Sequence, residues 1–166
     1  METRALEWRL ALTAFFGAAG ELLGWKGMML VLWVVSMALD YISGSVAAAK
    51  NRRWSSTTAR QGLWHKGGMI LVVLVAGIAD AVFVRLLPQL PLAMATVQNP
   101  GLLLPLVLAW YILTEAGSVL ENAVKLGAKV PDWLGKVLKV GQAAVDKAGE
   151  GQTSAEKDES EEKDDG

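Results

Sequence analysis

The 166-residue sequence predicts an all-α integral membrane protein with three transmembrane helices. Three observations point there. Hydrophobic residues make up 52% of the chain, and mean hydropathy is +0.32 even though residues 149–166 hold eight acids and two bases. Three long windows carry at most two charges each, so a soluble domain of this size would lack a polar shell. Five bases without an acid lie between two of those windows, where a cytoplasmic loop belongs. Helices are the expected element, because inside lipid every backbone polar group must be satisfied within the segment or in a closed barrel.

The elements follow in chain order. Residues 1–24 are expected to form a short N-terminal apolar helix. Leu10 to Gly24 carries a single charge, Glu21, and is short for a span. It fits an interfacial helix, a re-entrant segment, or a tilted fourth span that turns back through Gly24-Trp25-Lys26-Gly27. These choices differ in which side of the membrane Met1 occupies. The charge mixture of Met1 to Arg9 does not suit a secretory signal peptide.

Residues 25–127 are the transmembrane domain, with spans at about 27–49, 67–87 and 101–120. Gly27 to Ala49 has one charge, Asp40, and as a helix is about 34 Å long, enough to cross a ~30 Å core. Trp25 and Lys26 precede it, and Lys50, Arg52 and Arg53 follow, as interfacial flanks should. Lys50 to Lys66 reads as a polar cytoplasmic loop carrying Lys50, Arg52, Arg53, Arg60 and Lys66, with Trp54 and Trp64 as interface anchors. Between apolar spans, the positive-inside rule explains this basic stretch better than nucleic-acid binding. Gly67 to Leu87 is the second span, interrupted by Asp80 and Arg85 and ended by Pro88. Residues 88–100 are uncharged and hold three prolines, which suits a connection on the far side. The third span begins at Gly101, tolerates Pro105 in its first turns, and continues as helix to a C-cap at Gly127.

Residues 128–148 are expected to form an amphipathic cytoplasmic helix from Pro131 to Ala148. Leu134, Val137, Leu138, Gly141, Val145 and Ala148 follow helical spacing, and Lys136, Lys139, Gln142 and Lys147 fall largely outside that stripe. Such a helix suits an anionic leaflet with lysines outward; the alternative is packing against a partner chain. Residues 149–166 read as a disordered acidic tail, since nothing there offsets ordering entropy. Residues 1–148 hold 14 bases and 9 acids, a net +5, and the tail is −6, which together give the formal −1. If the tail restrains assembly of copies in the membrane, deleting 149–166 advances that assembly.

Each span carries one carboxylate, and charge inside lipid is expensive unless it faces protein or water. Ser36, Asp40, Ser43 and Ala47 share one face of the first span, with Gly44 as a small neighbour. Gly77, Asp80, Ala81 and Val84 make a comparable face on the second. Glu115, Ser118 and Asn122 line up on the third, with Glu121 beside them. The functional reading is that Ser36, Asp40, Ser43, Gly44, Asp80, Glu115, Ser118, Glu121 and Asn122 form an oligomerisation face that lines a lesion. The plain structural alternative is interhelical hydrogen bonding, worth about 1 kcal/mol per bond. Asp80 is expected to lean towards Arg85 near the outer end, and Glu115 to sit by the inner interface. The three acids thus fall at different depths, which does not support a relay at one level.

Enzymatic chemistry has little to stand on. The chain has no cysteine, which removes disulfides, thiolate metal sites and a Cys nucleophile. His65 is the only histidine and sits in the basic loop. No phosphate loop, zinc-protease pattern or Ser/His/Asp set is present, and the intramembrane acids lack the His partners of a transition-metal site. No cofactor, metal or nucleic-acid partner is expected; the lipid bilayer and other copies of the chain are.

Four pieces of sequence carry a family resemblance. The first is the short apolar segment ending in Gly24-Trp25. The second is Met37-Ala38-Leu39-Asp40-Tyr41-Ile42-Ser43-Gly44. The third is Ser55-Ser56 followed by Gly62-Leu63 and Lys66. The fourth, and most specific, is Tyr111-Ile112-Leu113-Thr114-Glu115-Ala116-Gly117-Ser118-Val119-Leu120-Glu121-Asn122-Ala123, then Leu126-Gly127 and Val130-Pro131. In these the chain resembles the phage holins of the toxin-secretion/phage-lysis group (phage holin family 4), over about residues 10–140. The segment 57–61, Trp64-His65 and the proline-rich connection depart from the family pattern. The resemblance implies an inner-membrane protein that oligomerises into lesions, depolarises the membrane and lets an endolysin reach the cell wall. The basic loop and the C-terminus would both be cytoplasmic. It leaves open an accessory role in toxin or bacteriocin export. A small ion or solute transporter subunit is a further alternative.

Overall fold

The computed structural model describes residues 2–52, 55–89, 99 and 101–152. Among them there are four α-helices and no strand: α1 (Glu2–Lys50), α2 (Ser56–Leu86), α3 (Leu103–Leu126) and α4 (Asp132–Glu150), with a short 3-10 turn at Leu87–Gln89. Three segments are long and apolar enough to cross a membrane: Gly24–Lys50, Gly62–Gln89 and Leu103–Leu126. These are the three spans expected from the hydropathy runs.

Gly24 interrupts α1 with φ 65° and ψ −177°, a conformation that a side chain with a Cβ resists. The apolar N-terminal segment is therefore helical up to a glycine break, and the first spanning segment starts there. At the far end of α1, Arg52 turns the chain with φ 52°. Arg53 and Trp54 lie outside the described residues. Helix α2 begins at Ser56, so the expected 50–66 loop is mostly helix. Arg60, Trp64 and His65 are exposed on the first turns of α2, and Lys66 lies within its body. Helix formation here agrees with Ser55 and Ser56, residue types that favour helix starts. Pro88 ends α2, as its missing N–H requires.

Helix α3 is the hub. It packs along α1, α2 and α4, while α1 and α2 touch each other little. Its core lies around Leu108, which is fully buried, with Trp33 of α1 and Met69 and Val73 of α2. Trp33 and Tyr111 stack at 6.2 Å, and Trp110 meets Tyr111 edge-on at 5.5 Å. Pro105 sits in the first turn of α3, where a missing N–H costs least. Gly127 closes the helix in the left-handed conformation, φ 98°, as the sequence predicts.

Outward, α2 shows Leu71, Leu74, Val75 and Ile78, each more than half exposed. A soluble surface does not carry such a continuous apolar face, but lipid accepts it. After Gly127 the chain reverses, and α4 runs back along α3. Gly141 approaches so closely that a Cβ there would meet Leu113 Cδ1 at 3.2 Å. Gln142 Nε2 donates to Thr114 Oγ1 at 2.9 Å. The leaflet-lying helix of the sequence expectation would keep its apolar stripe for acyl chains; here much of that stripe packs against α3. Helix α4 also runs two residues further than expected, to Glu150. Residues 153–166 of the acidic tail, and 90–98 and 100 of the proline-rich connection, lie outside the described residues.

Candidate functional site

Charged side chains from all three spanning helices meet inside the bundle. Lys66 of α2 donates to both carboxylate oxygens of Glu115 on α3, at 2.9 and 2.7 Å. The same Nζ lies 3.0 Å from Asp40 Oδ2 on α1. Glu115 is only 4% exposed. Around Asp40 a second layer closes: Asn122 Nδ2 donates to Asp40 Oδ1 and to Ser43 Oγ, both at 3.2 Å. Ser43 Oγ donates in turn to the Asp40 carbonyl at 3.1 Å. Lys125 Nζ reaches Asn122 Oδ1 at 3.3 Å. Gly44 makes room for this bridge, since a Cβ there would come within 3.3 Å of Asn122 Nδ2.

Two carboxylates face one ammonium. Water-excluded charges persist when they are paired and their remaining lone pairs are hydrogen-bonded. Lys66 and Asn122 supply those partners. The sequence reading set Lys66 in a solvated loop; its place in α2, one helix turn beyond Gly62 and facing α1 and α3, makes it the cation of this site. Asp40 and Glu115 therefore share one level, contrary to the expected spread of all three acids.

Asp80 belongs to a different level. Its Oδ1 accepts the backbone N–H of Leu103 and its Oδ2 that of Leu104, each at 3.0 Å. It thereby caps the N-terminus of α3 from another helix, with a negative charge at the positive end of the helix dipole. Lys26 Nζ lies 3.8 Å from Asp80 Oδ2 and donates to the Gly101 carbonyl at 2.6 Å. Asp80 thus pairs with α3 and Lys26, and not with Arg85, which lies exposed near the end of α2. At the other end of α3, Lys50 Nζ donates to the Leu126 carbonyl, a cation at the negative end. Both termini of α3 are held by charges from its neighbours.

A common spacing underlies these levels. Fourteen positions separate Lys26 from Asp40, Lys66 from Asp80, and Gly101 from Glu115. At 1.5 Å per residue each interval is about 21 Å. Helices α1 and α3 run in one direction and α2 in the other, so the two charged levels coincide across all three. The apolar core around Trp33, Val73 and Leu108 fills the space between.

The remaining expected residues divide. Ser36 bonds within its own helix to the Trp33 carbonyl at 2.8 Å. Ser118 and Glu121 line the groove between α3 and α4, together with Thr114 and Gln142, and not the Asp40 cluster. Arg60 is exposed near the start of α2. No group of three or more His, Cys, Asp or Glu suited to a metal ion occurs among the described residues.

Three lipid-length helices locked by buried charge define a helical membrane protein. Comparison with known proteins is specific: the bacteriophage holin family model matches residues 17–142. The chain belongs to the bacteriophage holin family, whose members are membrane-pore proteins and not enzymes. It is 30% identical over 112 residues to an uncharacterised protein of Clostridium perfringens strain 13, covering 68% of this chain and 73% of that protein. It is 31% identical over 110 residues to an uncharacterised 14.9 kDa protein in the nagH 3′ region of Clostridium perfringens, covering 66% of this chain and 74% of the relative. An uncharacterised protein of Listeria monocytogenes is 28% identical over 144 residues, 86% of this chain and 91% of its own length. No solved structure matches the chain.

Proposed function

We propose that the chain accumulates in the bacterial inner membrane and assembles with copies of itself into lesions. These depolarise the membrane and release an endolysin for host lysis. The observation that carries this reading is the Lys66–Asp40–Glu115 cluster, paired charge held between three lipid-length helices of a holin-family chain. Such a charge is tolerable while paired within one subunit and gains if water reaches it on assembly. The exposed apolar face of α2 supplies a surface that lipid or a neighbouring copy can cover equally well. Membrane potential can bias the switch, since one charge moved through 100 mV is worth about 2.3 kcal/mol. On the positive-inside rule, the Lys50 end of the bundle faces the cytoplasm.

The test is induced expression in a bacterium with and without an endolysin, following membrane potential and culture density together. Abrupt depolarisation, then clearing that requires the endolysin, is the expected result. Steady selective conductance with full viability would select a transporter subunit instead. Accessory toxin export would use the same lesion, and the kind of gene beside this one, endolysin or large secreted protein, separates the two.

A further inference from the structure

We propose that α4 crosses the membrane beside α3. Its charged lane then lines the water path between copies of this chain, and its C-terminal end, at Gln152, lies on the side opposite the basic Lys50 end. The crossing stands on the packing of α4 alone; the lining role rests on the lesion reading.

The packing runs the full length of α3. Near the Lys50 end, Pro131 and Asp132 share a groove with Glu121 and Val124. Midway, Gln142 bonds Thr114 and Gly141 abuts Leu113. Beyond that, Val145 and Gly149 lie by Leu106 and Trp110. At the Lys26 end, buried Gln152 accepts the Asn99 N–H through Oε1 at 3.0 Å. Nineteen helical residues rise about 28 Å, close to a hydrocarbon core of ~30 Å. A helix resting on the leaflet at the Lys50 end could not reach Asn99, which precedes the opposite end of α3.

Helix α4 is too polar to face lipid all round, and its residues sort into three lanes. Leu134, Leu138, Gly141 and Val145 turn towards α3. Trp133, Val137 and Val140 are exposed and apolar, each more than half accessible. Lys136, Lys139, Asp146, Lys147 and Glu150 fall on the remaining side, all exposed, with Ala143 at its centre; Lys139, Asp146 and Glu150 also border the grooves against α3. Hydrocarbon rejects that third lane, whereas an aqueous lumen accepts it, as charged rings do in ion pathways. The exposed apolar lane beside it then faces lipid or the next copy. A polar helix inserted alongside an apolar one gives a lesion its wet wall.

The chain has no native cysteine, so a single introduced thiol reports only its own position. Ser160→Cys and Ser56→Cys, each in the full chain, are expressed below the lysis threshold and treated with a membrane-impermeant maleimide. Membrane potential is monitored throughout. The expected result is labelling of Ser160→Cys in intact cells and of Ser56→Cys only after permeabilisation. Labelling of both only after permeabilisation, with α4 swung onto the inner leaflet, overturns the crossing. For the lining role, Ala143→Cys and Val75→Cys proteins are compared in planar bilayers with a cationic methanethiosulfonate. Conductance through Ala143→Cys should fall by at least about twofold, while Val75→Cys, on the apolar face of α2, stays unchanged. Equal insensitivity of both overturns the lining role. If unmodified protein carries no current, the lesion reading and the lining role fall together, while the labelling still decides the crossing.

Discussion

Replacing Lys66 by methionine removes, among the described residues, the one cation paired with both carboxylates of a largely buried site. At an effective dielectric constant of about 20, the attraction at 2.7 Å to Glu115 is about 6 kcal/mol, and at 3.0 Å to Asp40 about 5.5 kcal/mol. Desolvation of all three groups offsets most of this, so the net value of the trio is small. Loss of one partner is another matter, because the stranded charges keep their desolvation cost. Breaking a buried pair from one side costs about 3–5 kcal/mol, and that range is expected for Lys66→Met. The triple variant Lys66→Met, Asp40→Asn, Glu115→Gln leaves no charge behind and should recover most of the loss. The assay is unfolding of the detergent-solubilised chain, followed by tryptophan fluorescence. The reasoning is refuted if Lys66→Met lies within about 0.5 kcal/mol of the parent, the range of an ordinary surface change.

Three further outcomes follow from the same geometry. Asp80→Ala takes the cap from the Leu103 and Leu104 N–H groups and should cost about 1–2 kcal/mol in the same assay; Arg85→Ala, exposed and not among the groups that hold that carboxylate, should cost little. Gly44→Leu drives a side chain into Asn122, whose Nδ2 lies 3.3 Å from the site of a Cβ, and should destabilise the α1–α3 pair by about 1–3 kcal/mol. Asp40→Asn keeps its bond from Asn122 but changes the charge of the trio, and should shift the moment of depolarisation in expressing cells. Unchanged timing would remove membrane potential from the trigger.

Much of the architecture was legible because lipid imposes a simple rule on sequence. The uncharged runs after Lys26, after Lys66 and after Gly101 mark the spans, Pro88 and Gly127 mark two helix ends, and Gly24 marks a break. Asp40, Ser43, Gly44, Glu115 and Asn122 were legible as polar or small faces at helical spacing. Their pairings were not. Lys66 follows a polar, basic stretch, and local composition cannot tell a solvated loop from the first turns of a helix that dips into the bundle. Asp80 has Arg85 close by in sequence, but its partners lie beyond a proline-rich connection, where sequence distance says nothing of space. The fourteen-residue interval from Lys26 to Asp40 and from Lys66 to Asp80 was available as a signal. It becomes informative only once the opposed directions of α1 and α2 are known. The packing of α4 on α3 was hidden because an amphipathic pattern names an apolar face without naming what covers it.

The account stands on the claim that three helices of this chain sit within a bilayer around a buried ion cluster. Its most direct test is flotation of reconstituted full-length protein after washing with alkaline carbonate and urea. The protein is expected to rise with the lipid vesicles and to need detergent for release. Recovery in the lipid-free fraction, as a folded monomer in plain buffer, would contradict it.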